Sequence, residues 1–200
     1  MSRESTTRKY EQKARADQQD EMRTRITVAA MDLHGSVGPA NTTIKGVADR
    51  AGVQRATVYR YFKNDDELFA ACSSHWMALN PPPDVSVWMA ESDPDSRTTA
   101  GLTELYEYYG QTAEMFSNLI RDESLHPSIP PLIANFWGFL EIAAELLVKG
   151  RGLRGRKVQR TRAAARLAVD FTTWQRLVDR EGLRADEAAE IMTKAIAEAA

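Results

Sequence analysis

Residues 42–62 read TTIKGVADRAGVQRATVYRYF, and this stretch decides the fold of the first third of the chain. Its spacing predicts two short helices, over 44–51 and 54–61, that cross closely. The first helix has a small residue, Ala48, at the crossing point, and Gly52 accepts the positive φ of a tight turn. Three valines supply the small core that fixes the crossing: Val47, Val53 and Val58.

The second of these helices has a polar outward face that suits the major groove of DNA. Arginine pairs with guanine, glutamine pairs with adenine, and the methyl groups of alanine and threonine contact thymine. Thr43 and Tyr59 suit phosphates, which set the register of a protein on DNA. The alternative is a helical hairpin whose polar face only contacts water. Such a hairpin would not require Ala48, Gly52 and Val58 to stand at these positions together. The outward residues are Gln54, Arg55, Ala56, Thr57, Tyr59 and Arg60.

Residues 22–69 resemble the DNA-binding domain of TetR-family repressors. The resemblance is carried by TTIKGVADRAGV at 42–53, TVYRYF at 57–62 and NDDELF at 64–69, about a quarter of the chain. It implies a subunit of nine or ten helices, with DNA bound by the first three and a dimer formed by the last two. The DNA-facing residues that it implies are Thr43, Lys45, Gln54, Arg55, Ala56, Thr57, Tyr59 and Lys63.

Three positions depart from the family pattern. Gln54 stands where a capping serine is common, so we expect a weaker start to the recognition helix. Asp65 stands where a lysine often contacts phosphate, so that contact would pass to Lys63 or be lost. Gly46 replaces a common acidic or polar residue and is expected to loosen the preceding helix.

Composition and charge fit a DNA-binding head on an acidic body. The 200 residues are 43% hydrophobic and 27% charged, with a net charge of −2. Residues 1–70 carry 12 Lys/Arg and 10 Asp/Glu, whereas residues 71–200 carry 14 and 18. The N-terminus lacks the apolar core of a secretory signal, and we expect no run of ~20 apolar residues that could span a membrane. These features predict a cytoplasmic protein without membrane contact.

Apolar residues recur at helical spacing and nowhere in strand alternation, which predicts an all-α fold of about nine helices. We expect a flexible N-terminal arm at 1–16, a helix-turn-helix domain at 17–64, and a ligand-binding and dimerisation domain at 65–200. Two helices with a possible kink at Gly110 are expected over 102–120. One helix is expected to carry the series Leu167, Phe171, Trp174 and Val178.

The predicted second domain is rich in aromatic residues, and two interpretations stay open. They could line an apolar pocket for a hydrophobic or aromatic small molecule, since ligand sites are commonly lined in this way. They could equally be core packing. The candidates are Trp88, Tyr106, Tyr109, Phe116, Phe136, Trp137, Phe171 and Trp174, of which Trp137 and Tyr106 are the preferred ones.

The sequence gives little support for metal binding, thiol chemistry, catalysis or anion binding. The three histidines lack the spacing of metal ligands, so no metal site and no cofactor are expected. Cys72, the single cysteine, lies on an apolar stripe and is interpreted as a buried small hydrophobe rather than a thiol sensor. No catalytic constellation is present, which argues against an enzyme. Basic residues at 151–157 favour a solvated loop over an anion patch.

The hypothesis that follows is a transcriptional repressor that binds a palindromic operator in double-stranded DNA as a homodimer and is released by a small molecule. Residues 158–180 and 185–199 are expected to form the dimer interface, because each has apolar residues on more than one face. A ligand-independent activator or architectural factor is the main alternative. An adaptor without DNA binding is a further one.

Overall fold

The computed structural model describes the backbone of residues 3–200 and the side chains of residue 10 and residues 12–200. No strand occurs in this part of the chain, which confirms the prediction of an all-α fold. The chain forms two compact units. The first comprises residues 1–80 and 114–129, and the second comprises residues 81–113 and 130–200. The expected functional boundary between residues 64 and 65 stays a prediction.

The first unit contains four helices and the end of a fifth. They are α1 (Arg3–Ser36), α2 (Ile44–Ala51), α3 (Arg55–Tyr61), α4 (Asp65–Leu79) and the last residues of α5 (Pro94–Asp122). The bounds of α2 are those expected from the sequence. Helices α1 to α4 all contribute to one apolar core: Ile26, Ala30, Val47, Ala48, Val58, Phe62, Leu68 and Cys72.

The second unit is built from the first part of α5 and four further helices. These are α6 (Ile129–Val148), α7 (Arg156–Val169), α8 (Phe171–Trp174), which continues as a π-helical turn over Gln175–Arg180, and α9 (Ala185–Ala199). Gly101 allows a close approach here, because a Cβ at this position would lie 2.9 Å from the Trp88 ring. Leu102, Leu105 and Leu147 are buried in the same core.

Helix α1 begins at Arg3, well before residue 17, where the helix-turn-helix domain is expected to begin. The intervening residues are polar, but Glu, Lys, Gln, Arg and Ala are strong helix formers and propagate the helix without burial. The helix therefore includes most of the segment expected as an arm, whose flexibility stays a prediction. Residues 1 and 2 of that segment lie outside the described residues.

Helix α5 is continuous, so the expectation of two helices with a kink at Gly110 is wrong. A glycine in a helix interior costs only about 1 kcal/mol relative to alanine. Buried side chains before and after it in the helix, such as Tyr106, Tyr109 and Phe116, offset that cost. Gly110 itself is exposed.

The expected continuous helix through Leu167 and Val178 is also wrong. The chain leaves the helix at Asp170, where ψ is 135°, and the Asp170 side chain accepts a 2.7 Å hydrogen bond from the Thr172 N–H. An aspartate offers the backbone this alternative to a helical bond, so it ends α7 and starts α8. Leu167, the first residue of the expected series, is 60% exposed. Leu79, the last residue of α4, is 60% exposed as well.

Helix α6 is long and apolar enough to cross a membrane by length and composition, with a mean hydropathy of 1.4. Judged by length and mean hydropathy, the expectation that no segment could span a membrane is therefore wrong. In the apolar stretch that gives this hydropathy, 28% of the residues are buried, among them Ile133, Leu140 and Ala144.

Candidate nucleic-acid interface

The turn between α2 and α3 has the geometry that its sequence predicts. Thr43 Oγ1 accepts a 3.0 Å hydrogen bond from the Gly46 N–H and caps the start of α2. Gly52 ends α2 with φ 65° and ψ 40°, in the left-handed region that glycine accepts. No described side chain caps the first turn of α3, which agrees with the weak start expected from Gln54.

Helix α3 is held by one apolar face and presents the opposite face to solvent. Val58 and Val47 are fully buried in the core that α2 shares with α3, and Ala48 is buried at the crossing. Thr57 is half-buried, and the remaining outward residues are exposed: Gln54, Arg55, Ala56, Tyr59 and Arg60. The structure thus brings the predicted recognition residues together on one surface.

The other three DNA-binding candidates are Thr43, Lys45 and Lys63, and they differ in whether their donor groups are free to bind a phosphate. Lys45 Nζ lies 2.8 Å from Asp49 Oδ2, but both side chains are exposed, and such a pair is worth little in water. Lys45 can therefore exchange this partner for a phosphate. Thr43 uses an oxygen lone pair for its cap and keeps its hydroxyl proton as a donor. Lys63 is exposed just beyond α3.

An arginine that sequence analysis missed secures the end of α3. Arg23 Nη1 donates a 2.7 Å hydrogen bond to the Tyr61 carbonyl, and its guanidinium lies 4.2 Å from the centre of the Phe62 ring. Its other end is 3.5 Å from the carboxylate of Glu67. That carboxylate also accepts a hydrogen bond from the Lys63 N–H, which lowers the pKa of Glu67. The contact joins α1 to the α3–α4 turn.

A second missed cluster ties the end of α5 to the turn after α1. Asp122, which is 1% exposed, accepts hydrogen bonds from the Ala40 N–H at 3.0 Å and from Arg121 Nε at 2.7 Å. The Arg121 side chain lowers the pKa of Asp122 through this bond. Asn118 donates to the carbonyls of His34 and Gly35 at the end of α1. The two Asn118 contacts satisfy carbonyls that the end of α1 leaves without helical partners.

A buried histidine lies next to the single cysteine. His34 Nδ1 and Cys72 Sγ are 3.2 Å apart, and the rings of Phe69 and His126 stack beside them. Burial raises the pKa of Cys72 to about 12, and burial together with the charge of His126 lowers the pKa of His34 to about 4. At neutral pH both groups are therefore neutral, which supports the interpretation of Cys72 as a buried hydrophobe.

The lowered pKa of His34 predicts a loss of stability in acid. Below about pH 6.5 the unfolded chain binds a proton at this position that the folded chain does not bind until about pH 4. The free energy of unfolding should therefore fall by about 2–3 kcal/mol between pH 7.5 and pH 4.5 through this group alone. Urea unfolding followed by circular dichroism measures it in the wild type and in His34→Gln. An equally steep pH dependence in both proteins would contradict the assignment.

Five of the predicted ligand-site aromatics lie together in the second unit. The Tyr109 ring lies 5.2 Å from Phe171, 6.0 Å from Trp174 and 6.3 Å from Phe136, measured between ring centres. Tyr106 stacks on Tyr109 at 6.4 Å. The Tyr106 and Tyr109 hydroxyls donate to the carbonyls of residues 168 and 169, at 2.7 and 2.6 Å. These tyrosines are well suited to core packing.

The other three candidates lie elsewhere. The Trp137 ring is half-buried, 5.9 Å from the Phe136 ring at the edge of this cluster. The Trp88 indole N–H donates a 2.6 Å hydrogen bond to Glu104 on another side of α5. Phe116 belongs to the first unit, where its ring makes an edge contact with Trp76. In the described part of the chain, no three His, Cys, Asp or Glu residues come together as metal ligands.

Comparison with known proteins gives a sequence match for the helix-turn-helix segment and structural matches for most of the chain. Residues 26–72 match the profile of the bacterial regulatory proteins of the tetR family. No curated protein matches the chain by sequence. A putative fatty acid metabolism regulator of Clostridium perfringens has a similar structure, with a TM-score of 0.61 at 15% identity over 88% of this chain and 98% of its own.

Two further solved structures are similar over most of their length. A TetR-like transcriptional regulator from Rhodococcus sp. RHA1 has a TM-score of 0.61 at 18% identity, over 88% of this chain and 94% of its own. The transcriptional regulator FadR from Bacillus subtilis, in complex with stearoyl-CoA, has a TM-score of 0.57 at 13% identity, over 88% and 98%. At these identities the likeness shows the fold alone.

Proposed function

We propose that this chain, which belongs to the TetR family of bacterial regulatory proteins through the DNA-binding domain at 26–72, is a cytoplasmic repressor that acts as a homodimer on a palindromic operator. The observation that carries the proposal is the surface of α3, where exposed donors stand on a helix fixed from behind by buried valines. Such a helix can enter the major groove without any change in its own unit.

Exposed apolar side chains on the second unit support a homodimer. Leu167 on α7 and Ile191 on α9 are 60% and 45% exposed, and Ala163 and Ala195 are exposed one turn away from them on the same helix faces. Apolar faces of this kind mark interaction sites. They lie within the two segments that the sequence predicts as the dimer interface.

Release by a ligand requires two states of the dimer. Two recognition helices must be about 34 Å apart, one turn of DNA, to enter successive major grooves. A small molecule that binds better to the state with another spacing shifts the population away from DNA, by no more than its differential affinity. A ligand-independent activator would bind the same DNA without any such response.

A hydrophobic ligand agrees with the residues of the second unit. Its interior is formed mainly by aliphatic and aromatic side chains, with Arg97, Thr98 and Thr161 buried among them, and Glu107 and Glu141 are exposed. Among proteins of similar fold, one is described as a putative fatty acid metabolism regulator and another is in complex with stearoyl-CoA. We therefore take long-chain acyl compounds as the first ligands to test.

Trp137 is the better of the two preferred ligand-site residues. Tyr106 is fully buried, and its hydroxyl already has an acceptor, so it has little left to offer a ligand. Trp137 is half-buried beside the aromatic cluster and can contact a molecule that enters there. Truncation of a core tryptophan would cost ~3–5 kcal/mol, whereas truncation at a pocket wall would cost less.

Trp137→Ala is expected to abolish release of the operator by ligand while leaving operator affinity without ligand nearly intact, because the two sites are coupled but distinct. Fluorescence anisotropy of labelled operator, titrated with stearoyl-CoA or stearate, measures release. Trp76→Ala, which removes a half-buried tryptophan from the first unit, is the control. A folded Trp137→Ala protein that responds normally would remove this residue from the site, and a wild type released by neither compound would exclude acyl ligands.

A further inference from the structure

Helix α1 projects far beyond the core that it helps to build. Its first fully buried side chain is Ile26, and every residue from 12 to 21 is exposed. At 1.5 Å per residue, the helix from Arg3 to Met22 is roughly 28 Å long. Because residues 12–21 are exposed, this part of the helix is free to contact another molecule.

The composition of this projection suits a polyanion and not a protein groove. Tyr10, Ala14 and Ala16 are the apolar residues between positions 10 and 21, too few to form the stripe that docks a helix on a protein. Residues 3–15 carry five Lys/Arg and two Asp/Glu, a net charge of +3. The acidic residues Asp17, Asp20 and Glu21 follow, nearer the core.

An open groove lies between this part of α1 and the last residue of α3. Its volume is about 430 Å³, and it is lined by Arg15, Gln18, Gln19, Glu21, Met22 and Arg25 on α1 and by Tyr61 on α3. Arg60 places its guanidinium 5.3 Å from the centre of the Tyr61 ring. The groove is thus continuous with the recognition helix inside one compact unit.

The donors that line the groove are available to a ligand. The described part of the chain offers no hydrogen-bond partner to the side chains of Arg15, Gln18 or Gln19, and all three are exposed. Arg25 donates only to the sulfur of Met22, at 3.3 Å. Two guanidinium and two amide groups around one groove match the phosphates of a nucleic-acid strand, and a single carboxylate, Glu21, opposes them.

We infer that this groove and the basic part of α1 form a second DNA contact, which holds the sugar–phosphate backbone flanking the bases that α3 reads. The inference rests on the proposed function. The strand that passes the end of α3 at Tyr61 continues into the groove, where Arg15 and Arg25 pair with phosphates. This contact is independent of sequence and depends on salt, because phosphate contacts release counterions.

The test compares one pair of substitutions on two DNA lengths. A palindrome selected by the wild-type protein from a randomised duplex library is prepared alone and with about 10 bp of mixed sequence on each side, about one helical turn. The variant is Arg15→Gln with Arg25→Gln in the full-length chain. The matched control is Arg156→Gln with Lys157→Gln, which removes the same charge from exposed positions of the second unit.

The groove variant should bind the flanked duplex at least about tenfold more weakly, and its log–log salt slope should be smaller by about 3–4, for two phosphates in each of two subunits at about 0.9 per phosphate. On the bare palindrome it should stay within about twofold of the wild type. The control should match the wild type on both duplexes. A melting temperature equal to that of the wild type would show that the variant is folded.

Two results would overturn the inference: an unchanged affinity for the flanked duplex, or an equal loss on both duplexes. A failure of the proposed function looks different, since the wild type would then select no palindrome. The groove is in that case tested on a 40-bp duplex of mixed sequence. A smaller salt slope for the groove variant alone would still support a backbone contact, and equal slopes would exclude it.

Discussion

Arg55→Ala should weaken binding to the operator by about 1–3 kcal/mol in each subunit, which is roughly 30-fold to 10⁴-fold for a dimer. Arg55 is the first residue of α3, is exposed, and has no ion-pair partner among the described residues. Its guanidinium can therefore make the bidentate contact with guanine that is the commonest specific contact in the major groove. Binding to DNA of random sequence should fall much less.

Titrations of operator and random duplexes at one salt concentration measure this difference. Arg50→Ala is the matched control, because it removes the same charge from α2, where Arg50 is held 2.7 Å from Asp32. The control should change both affinities little and equally. An equal loss of operator and random binding in Arg55→Ala would assign Arg55 to the phosphates and not to the bases.

The second large effect concerns the dimer. Leu167→Arg combined with Ile191→Arg should give a monomer at micromolar concentration, because four guanidinium groups would have to be buried in the proposed interface without partners. Operator affinity should fall more than a hundredfold, since each recognition helix would then bind alone. On α7 the arginine is placed at Leu167 because the next residue, Ala168, is fully buried in its own chain, where an arginine would disrupt the subunit itself.

Analytical ultracentrifugation and operator titration on the same protein test this expectation. Glu190→Arg, an exposed substitution next to Ile191 on another side of α9, is the control and should stay dimeric. Unchanged far-UV circular dichroism would show that the monomer is folded. A wild type that sediments as a monomer at micromolar concentration would overturn the homodimer, and a dimeric double variant would exclude this interface.

The helix-turn-helix could be predicted from sequence because its determinants are local. Ala48, Gly52 and Val58 fall within eleven residues, and each is required by geometry rather than by a distant partner. The expected bounds of α2, its cap at Thr43 and the turn at Gly52 all agree with the structure. Local spacing also placed the outward residues of α3 on one face.

The missed features depend on residues far apart in sequence. Arg23 contacts Tyr61 and Glu67, and Asp122 contacts Ala40, and no periodic pattern connects such pairs. Periodicity also failed where one capping side chain outweighed it, since Asp170 breaks an apolar series that otherwise fits a helix. The aromatic residues were found by composition, but composition could not tell which of them lie together around Tyr109.

Selection from a randomised 40-bp duplex library, followed by sequencing, tests the central claim most directly. The wild-type protein should enrich a palindrome whose half-site centres are about 10 bp apart or a multiple of that distance. Arg55→Ala should lose the preference at one base pair of each half-site and keep the rest. A folded, dimeric wild-type protein that enriches no motif would contradict sequence-specific recognition through α3.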